Sequence, residues 1–121
     1  MYKRQGLEAA HHLLSRRVKP TAIFASNDDM ALGVLAAAQR LGLAVPGDIS
    51  IAGFDDSNAS DLVWPTLTTV RQPMEEMARV AVDMLIEKEP SSLHQVLPHQ
   101  LLVRDSTSAP SPSSRGARKR D

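Results

Sequence analysis

The chain has 121 residues, enough for one domain with one core and too short for two. Lys plus Arg number 14 and Asp plus Glu number 14, and this balance argues against a whole-chain binder of nucleic acid or of membrane surface. Cys is 0, which excludes disulfides, thiolate metal sites and a Cys nucleophile, and suits a reducing cytosol. No apolar run reaches the length of a membrane span, and the opening residues do not read as a secretion leader.

In chain order, residues 1–5 (Met1-Tyr2-Lys3-Arg4-Gln5) read as a translated library adapter, with native sequence expected from Gly6 and a true start further upstream. Leu7, Ala10, His11 and Leu14 recur at helical spacing, with Pro20 as the stop. On that helix His11 is expected half-buried and His12 solvated, so the pair is no chelate. Ala22-Ile23-Phe24-Ala25 is a short apolar run that predicts a strand buried on both faces. Asn27-Asp28-Asp29 supplies cap chemistry for a second helix, whose stripe is Met30, Val34, Ala37 and Leu41 and whose stop is Gly42. Ile49 to Phe54 predicts a second buried strand, and Leu67 to Val70 a third.

Pro73, Glu75 and Glu76 suit the start of a third helix, with Met74, Met77, Ala78, Ala81 and Leu85 as its core stripe and Glu75–Arg79 as an i, i+4 pair. Leu93 to Val103 contains one more expected strand. Residues 105–121 are rich in Ser, Pro, Ala and Arg and are expected to be a disordered, dispensable tail, with Arg115, Arg118, Lys119 and Arg120 as a solvated basic run.

Alternating strands and helices predict an α/β fold with an open, doubly wound parallel sheet. Ligands bind such sheets at the carboxyl ends of the strands. Asn27 and Asp28 follow the first predicted strand, Asp55 and Asp56 the second, and Gln72 the third. Asp28, Asp29, Asp55 and Asp56 could serve a hard cation, which needs oxygen ligands. Against that, carboxylates at a helix start already have a structural use, and Lys88, on the third helix, is far from any strand end. No Gly-x-Ser-x-Gly elbow or Gly-rich phosphate loop occurs. No catalytic residue, metal or cofactor is expected. A polyol fits better, because amides offer donor and acceptor together and a carboxylate accepts from two neighbouring hydroxyls. The alternative for the same residues is structural, with Asn27 capping a helix and Asp55 fixing a turn.

Residues 20–33, residues 45–56 and Leu67-Thr68-Thr69-Val70-Arg71-Gln72-Pro73 closely resemble the ligand-binding domain of lactose-repressor (LacI/GalR) family transcription regulators. The resemblance covers residues 6–104 and implies a type I periplasmic-binding-protein-like fold, of which this would be the C-terminal part. Periplasmic sugar-binding proteins of the ribose type share the fold but match less well at Val45–Ser50, and are the second reading. By position, the resemblance implies that Asn27, Asp55 and Gln72 contact a small carbohydrate, that Asp28 caps its helix, and that Gln72 and Pro73 belong to a hinge between two lobes. It further implies a homodimer through Leu62, Val63 and Trp64, a cytoplasmic location, and operator DNA bound through a helix-turn-helix that lies upstream.

Overall fold

The computed structural model describes residues 1–86 and 94–110. Its elements are α1 (Tyr2–Leu14), β1 (Ala22–Phe24), α2 (Asp28–Arg40), β2 (Ser50–Ala52), β3 (Thr69–Arg71), α3 (Met74–Ile86) and β4 (Gln100–Leu102). β1 and β2 pair in parallel, with Ile23 opposite Ile51. β3 continues the parallel arrangement beside β2 through Ala52 and Thr68 and the bonds Gly53 N–H to Thr68 O and Asp55 N–H to Val70 O. β4 returns antiparallel to β3, with Val70 opposite Leu101. The expected α/β fold and parallel sheet are present in β1, β2 and β3, but no helix separates β2 from β3, and β4 departs from the parallel arrangement.

α2 is specified by its own ends. Asn27 has extended backbone, and its side-chain oxygen accepts from Met30 N–H at 2.8 Å, satisfying one of the donors a helix start leaves free. At the other end Gly42 adopts φ +69°, while Leu43 N–H reaches Ala38 O and Gly42 N–H reaches Gln39 O. That bond pair is a Schellman motif, which a residue with a Cβ closes less easily. The small residues Ala31, Ala37 and Ala38 then let α2 sit close to its neighbours, and with Val34 and Leu35 they join Ala10, Leu14, Ile49, Ile51 and Leu67 in one core.

α1 packs across α2 at glycines. A Cβ on Gly6 would land on the Met30 carbonyl, and one on Gly33 would land on the Lys3 carbonyl and 2.7 Å from the Leu7 nitrogen. Backbone meets backbone at this crossing. Residues 2–5 continue the helix without a break.

Several expectations change. β1 is not buried on both faces: its pattern is exposed, half-buried, exposed, and Phe24 is 66% exposed. It has a strand partner on one side only among the described residues, so its alternate side chains lack cover. His11 is exposed, its ring lying on the solvent side of α1 near Ser15. α3 forms as expected, yet none of its residues is buried and Leu85 is 84% exposed. Its stripe is real but uncovered. Arg79 pairs with Asp83 at 3.1 Å and Glu76 at 3.9 Å in place of Glu75. Lys88, Leu93 and the basic run Arg115–Arg120 lie outside the described residues.

The boundary at Asp105 also moves. Ser106 is fully buried: its N–H donates to Thr66 O, its carbonyl accepts from Ile51 N–H, and its hydroxyl donates to Ile51 O at 2.6 Å while accepting from Thr68 N–H at 2.8 Å. Thr107 and Ser108 add bonds to Thr68 and Ser50. A Ser/Thr-rich stretch holds here because its hydroxyls satisfy buried backbone groups of β2 and the segment leading into β3. Truncation after Asp105 is accordingly expected to lower stability by about 2–4 kcal/mol, since several buried partners are orphaned at once. Truncation after Pro110 is expected to leave those bonds intact and cost far less. Urea denaturation of the two truncated chains checks this, and equal midpoints would contradict the packing of Ser106.

Candidate functional site

The ends of β1, β2 and β3 are stitched together by main-chain bonds. Asp28 N–H donates to Phe54 O at 2.8 Å, and Asp55 N–H donates to Val70 O at 2.9 Å. Asn27 and Asp55 thus each lie one residue from the first bond, and Gln72 follows two residues after the acceptor of the second. The clearest contact among the expected ligand residues is Gln72 Nε2 donating to Asp55 Oδ1 at 2.9 Å. Asp55 is exposed and Gln72 half-buried, so both are open to solvent. Gln72 is followed by Pro73 and the start of α3 at Met74, so the expected hinge position is where the chain leaves the sheet.

Asn27, and not Asp28, takes the capping role that the resemblance implies for Asp28. Asn27 is the residue that caps α2, and its oxygen is occupied by that bond. Asp28 is 1% exposed; its Oδ1 accepts from Thr69 Oγ1 at 2.6 Å and its Oδ2 from Ser57 N–H at 2.7 Å. It is a buried cross-link from the start of α2 to the loop after β2 and to β3. A cation reading for the four aspartates is weakened by this, because Asp28 has spent both oxygens. No group of three or more His, Asp or Glu is arranged around a common point among the described residues.

Alternation along β3 sorts its side chains. Val70 and Gln72 face a cavity of about 670 Å³ whose other walls include Phe54, Met77 and Met84. Thr69 and Arg71 point to the carboxylates Asp28 and Asp56. Asn27 and Asp55 do not line the cavity, which is mostly apolar; Gln72 is the member common to it and to the polar group at the strand ends.

Asp56, Arg71 and Arg104 are neighbours of the candidate site that the linear sequence did not single out as a group. Asp56 Oδ2 meets Arg71 Nε at 2.6 Å, and its Oδ1 meets Arg104 Nη2 at 2.7 Å. Burial pushes the Asp56 carboxyl up, but hydrogen bonds from Arg104, Arg71 and Ser60, with the Arg104 charge, outweigh it and hold the group below the ordinary carboxylate range. A depressed carboxyl contributes stability that is complete above the unfolded-state value and is lost as pH falls through the lower folded-state value. The stability gap between the parent chain and Asp56→Asn is therefore expected to be widest near neutrality and to close below the ordinary carboxylate range. Urea midpoints over a pH series check this; a gap that does not change with pH would contradict it. A signal was available in the sequence, namely an Arg at alternate strand positions opposite an Asp-Asp turn, but pairing it requires the register.

The loop expected to lie at a dimer interface is presented outward in part. Leu62 is 82% and Trp64 77% exposed, whereas Val63 packs against the core. Gln39 Nε2 donates to Trp64 O at 3.2 Å, fixing this loop against the end of α2. No helix among the described residues is long and apolar enough to cross a membrane.

A family described as the periplasmic binding protein-like domain matches residues 2–107. The catabolite control protein A of Priestia megaterium is 47% identical over 107 residues, covering 84% of this chain and 32% of that protein. The lactose operon repressor of Rhizobium radiobacter is 40% identical over 111 residues, covering 89% of this chain and 98% of that sequence. Among solved structures, a dimeric Lac repressor with an 11-residue C-terminal deletion superposes with a TM-score of 0.83 at 34% identity, over 90% of this chain and 41% of that one. With its parallel sheet and strand-end polar groups, the chain belongs to the periplasmic binding protein-like domain family. Within it, the chain is a ligand-binding domain sequence of the LacI-type regulators, and the periplasmic transport reading is the less favoured one. The chain spans about a third of the length of the catabolite control protein it matches.

Proposed function

We propose that this chain is the C-terminal part of the effector-binding domain of a cytoplasmic, non-enzymatic transcription regulator that senses a small carbohydrate-like ligand. The observation that carries this is the Gln72–Asp55 contact at the joined strand ends, where Asn27 directly precedes the Asp28–Phe54 bond. One Asp55 oxygen is bonded to Gln72, which leaves Asp55 Oδ2 and Gln72 Oε1 as acceptors and the Asn27 amide nitrogen as donor. This mixture suits neighbouring hydroxyls on a neutral ring. Hydrogen bonds to the carboxylate are the stronger ones, at roughly 1.5–3 kcal/mol each.

The bare stripe of α3 and the uncovered face of β1 fit a domain whose remaining lobe comes from the rest of a longer protein. On this reading Gln72 and Pro73 lie in a hinge, and a ligand held between lobes shifts the population toward the closed arrangement. Leu62, Val63 and Trp64 would meet a second copy, with the exposed Leu62 and Trp64 supplying most of the contact. Operator DNA would be reached through an upstream helix-turn-helix.

Reading the genomic DNA upstream of codon 6 tests the proposal. A continuous frame encoding a helix-turn-helix is expected. A secretion leader in that frame would overturn it in favour of a transport protein.

A further inference from the structure

The sequence places Asp56 directly after Asp55 and Arg71 directly before Gln72. Two cross-links therefore join the same pair of segments: Gln72 to Asp55 at 2.9 Å and Arg71 to Asp56 at 2.6 Å. Asp55 and Asp56 have φ of 112° and 54°, a region that residues with a side chain rarely occupy and that persists only where the surroundings over-determine it. Asp56 supplies that determination. Besides Arg71, it holds Arg104 Nη2 at 2.7 Å and the Ser60 hydroxyl at 3.1 Å, and its N–H meets Thr69 Oγ1 at 3.3 Å. Arg104 is itself fixed by Ser60 Oγ and Leu67 O, while its N–H donates to Thr68 Oγ1 at 2.9 Å.

Arg71 ends β3 and Arg104 follows β4, and these two strands carry the chain to α3 and back. One carboxylate, 11% exposed, thus holds the end of β3 and the segment that follows β4. Ion pairs on a fully wetted surface contribute little, but a partly buried carboxylate with charge-assisted bonds on both oxygens fixes geometry strongly.

We propose that Asp56 is a positioning residue that clamps the end of β3 to the segment after β4 through Arg71 and Arg104 and so keeps Asp55 and Gln72 in contact. Its meaning for effector binding rests on the site reading above, but the clamp acts in the absence of effector and is tested without one. Loss of the clamp leaves the left-handed turn at residues 55–56 unsupported, frees Arg71, and lets Gln72 leave Asp55.

Amide exchange and side-chain amide resonances of the isotopically labelled 121-residue chain test this. In Asp56→Asn, protection at the Asp55 and Arg104 amides is expected to fall by about tenfold or more, the scale of one lost charged hydrogen bond. The Gln72 side-chain amide resonances are expected to move toward free-amide positions. Protection at Ala25, whose N–H bonds to Ala52 O in the core sheet, is expected to change by less than about threefold, as for an independent site. Asp56→Glu is expected to restore the Gln72 signature in part. Equal loss at Ala25 and Asp55, or an unmoved Gln72 resonance, would overturn the proposal. Should Asp56→Asn not fold, Arg71→Met removes the more exposed arm alone and is expected to move Gln72 in the same direction; an unchanged Gln72 there would likewise overturn it. Because no effector enters the experiment, its failure leaves the site reading standing, and failure of the site reading leaves the clamp standing.

Discussion

Gly33→Ala is expected to destabilise the chain, against its helix propensity. In an open helix interior this substitution gains about 1 kcal/mol, because Gly loses more backbone freedom on folding than Ala. Here the new methyl would meet the Lys3 carbonyl and the Leu7 nitrogen, which are backbone atoms of α1 and cannot swing away as a flexible side chain could. Relief requires α1 to move off α2, opening the contacts of Ala10 and Leu14 with the core. Overpacking of this kind costs roughly 1–3 kcal/mol and occasionally more, so the clash outweighs the propensity gain. A larger side chain, Gly33→Leu, is expected to exceed that range and, against a total stability of about 5–15 kcal/mol, to leave a sizeable unfolded fraction. Urea denaturation reads both. A higher midpoint for Gly33→Ala would show that α1 is not seated on α2 as described.

Asp28→Ala is expected to be as damaging, through a different term. The substitution removes an acceptor for Thr69 Oγ1 and for Ser57 N–H in a place that water does not reach. Leaving such donors unpaired costs about 1–3 kcal/mol each, so a loss of roughly 3 kcal/mol is expected. Asp28→Asn is expected to cost much less, about 1 kcal/mol, because its oxygen can keep Ser57 N–H while its nitrogen donates to a rotated Thr69 hydroxyl. The ordering Ala far below Asn distinguishes a hydrogen-bonded cross-link from a charged ligand contact. Equal losses for the two variants would contradict it.

The parts of the fold legible in the sequence are those fixed by neighbours along the chain. α2 announces both its ends, because Asn27 caps within three residues and Gly42 closes a turn that needs positive φ. The β-α alternation, and through it the meeting of Asp55 with Gln72, follow from periodicity and from where parallel sheets keep their strand ends. What was not legible depends on contacts between distant residues. Asn27 and Asp28 are both competent caps, and only the arrival of Thr69 and Ser57 decides which one is buried. Ser106 sits in a stretch whose composition reads as disordered, yet its value lies in hydroxyl bonds to Ile51 and Thr68, which hydropathy does not record. The stripe on α3 correctly marks a face that needs cover. Periodicity carries no information on whether that cover belongs to the same stretch of chain.

The clamp at Asp56 has the same character. Arg104 lies 48 residues from Asp56, and nothing local to either residue marks them as partners. Register narrows it: β3 and β4 run antiparallel with Thr69 opposite Leu102, so Arg104 falls beside Leu67 ahead of β3 while Arg71 ends that strand, and both side chains reach Asp56 from the two ends.

The most direct test of the proposed ligand site uses the protein at its natural length. A panel of neutral mono- and disaccharides is screened by thermal shift, and the sugar that stabilises the protein is titrated by calorimetry into the parent and into Asp55→Ala. Asp55→Ala is expected to fold normally by circular dichroism and to bind that sugar about 10–100-fold more weakly, the equivalent of one or more lost charged hydrogen bonds. An unchanged dissociation constant in a well-folded Asp55→Ala protein would contradict the assignment of Asn27, Asp55 and Gln72 as the site.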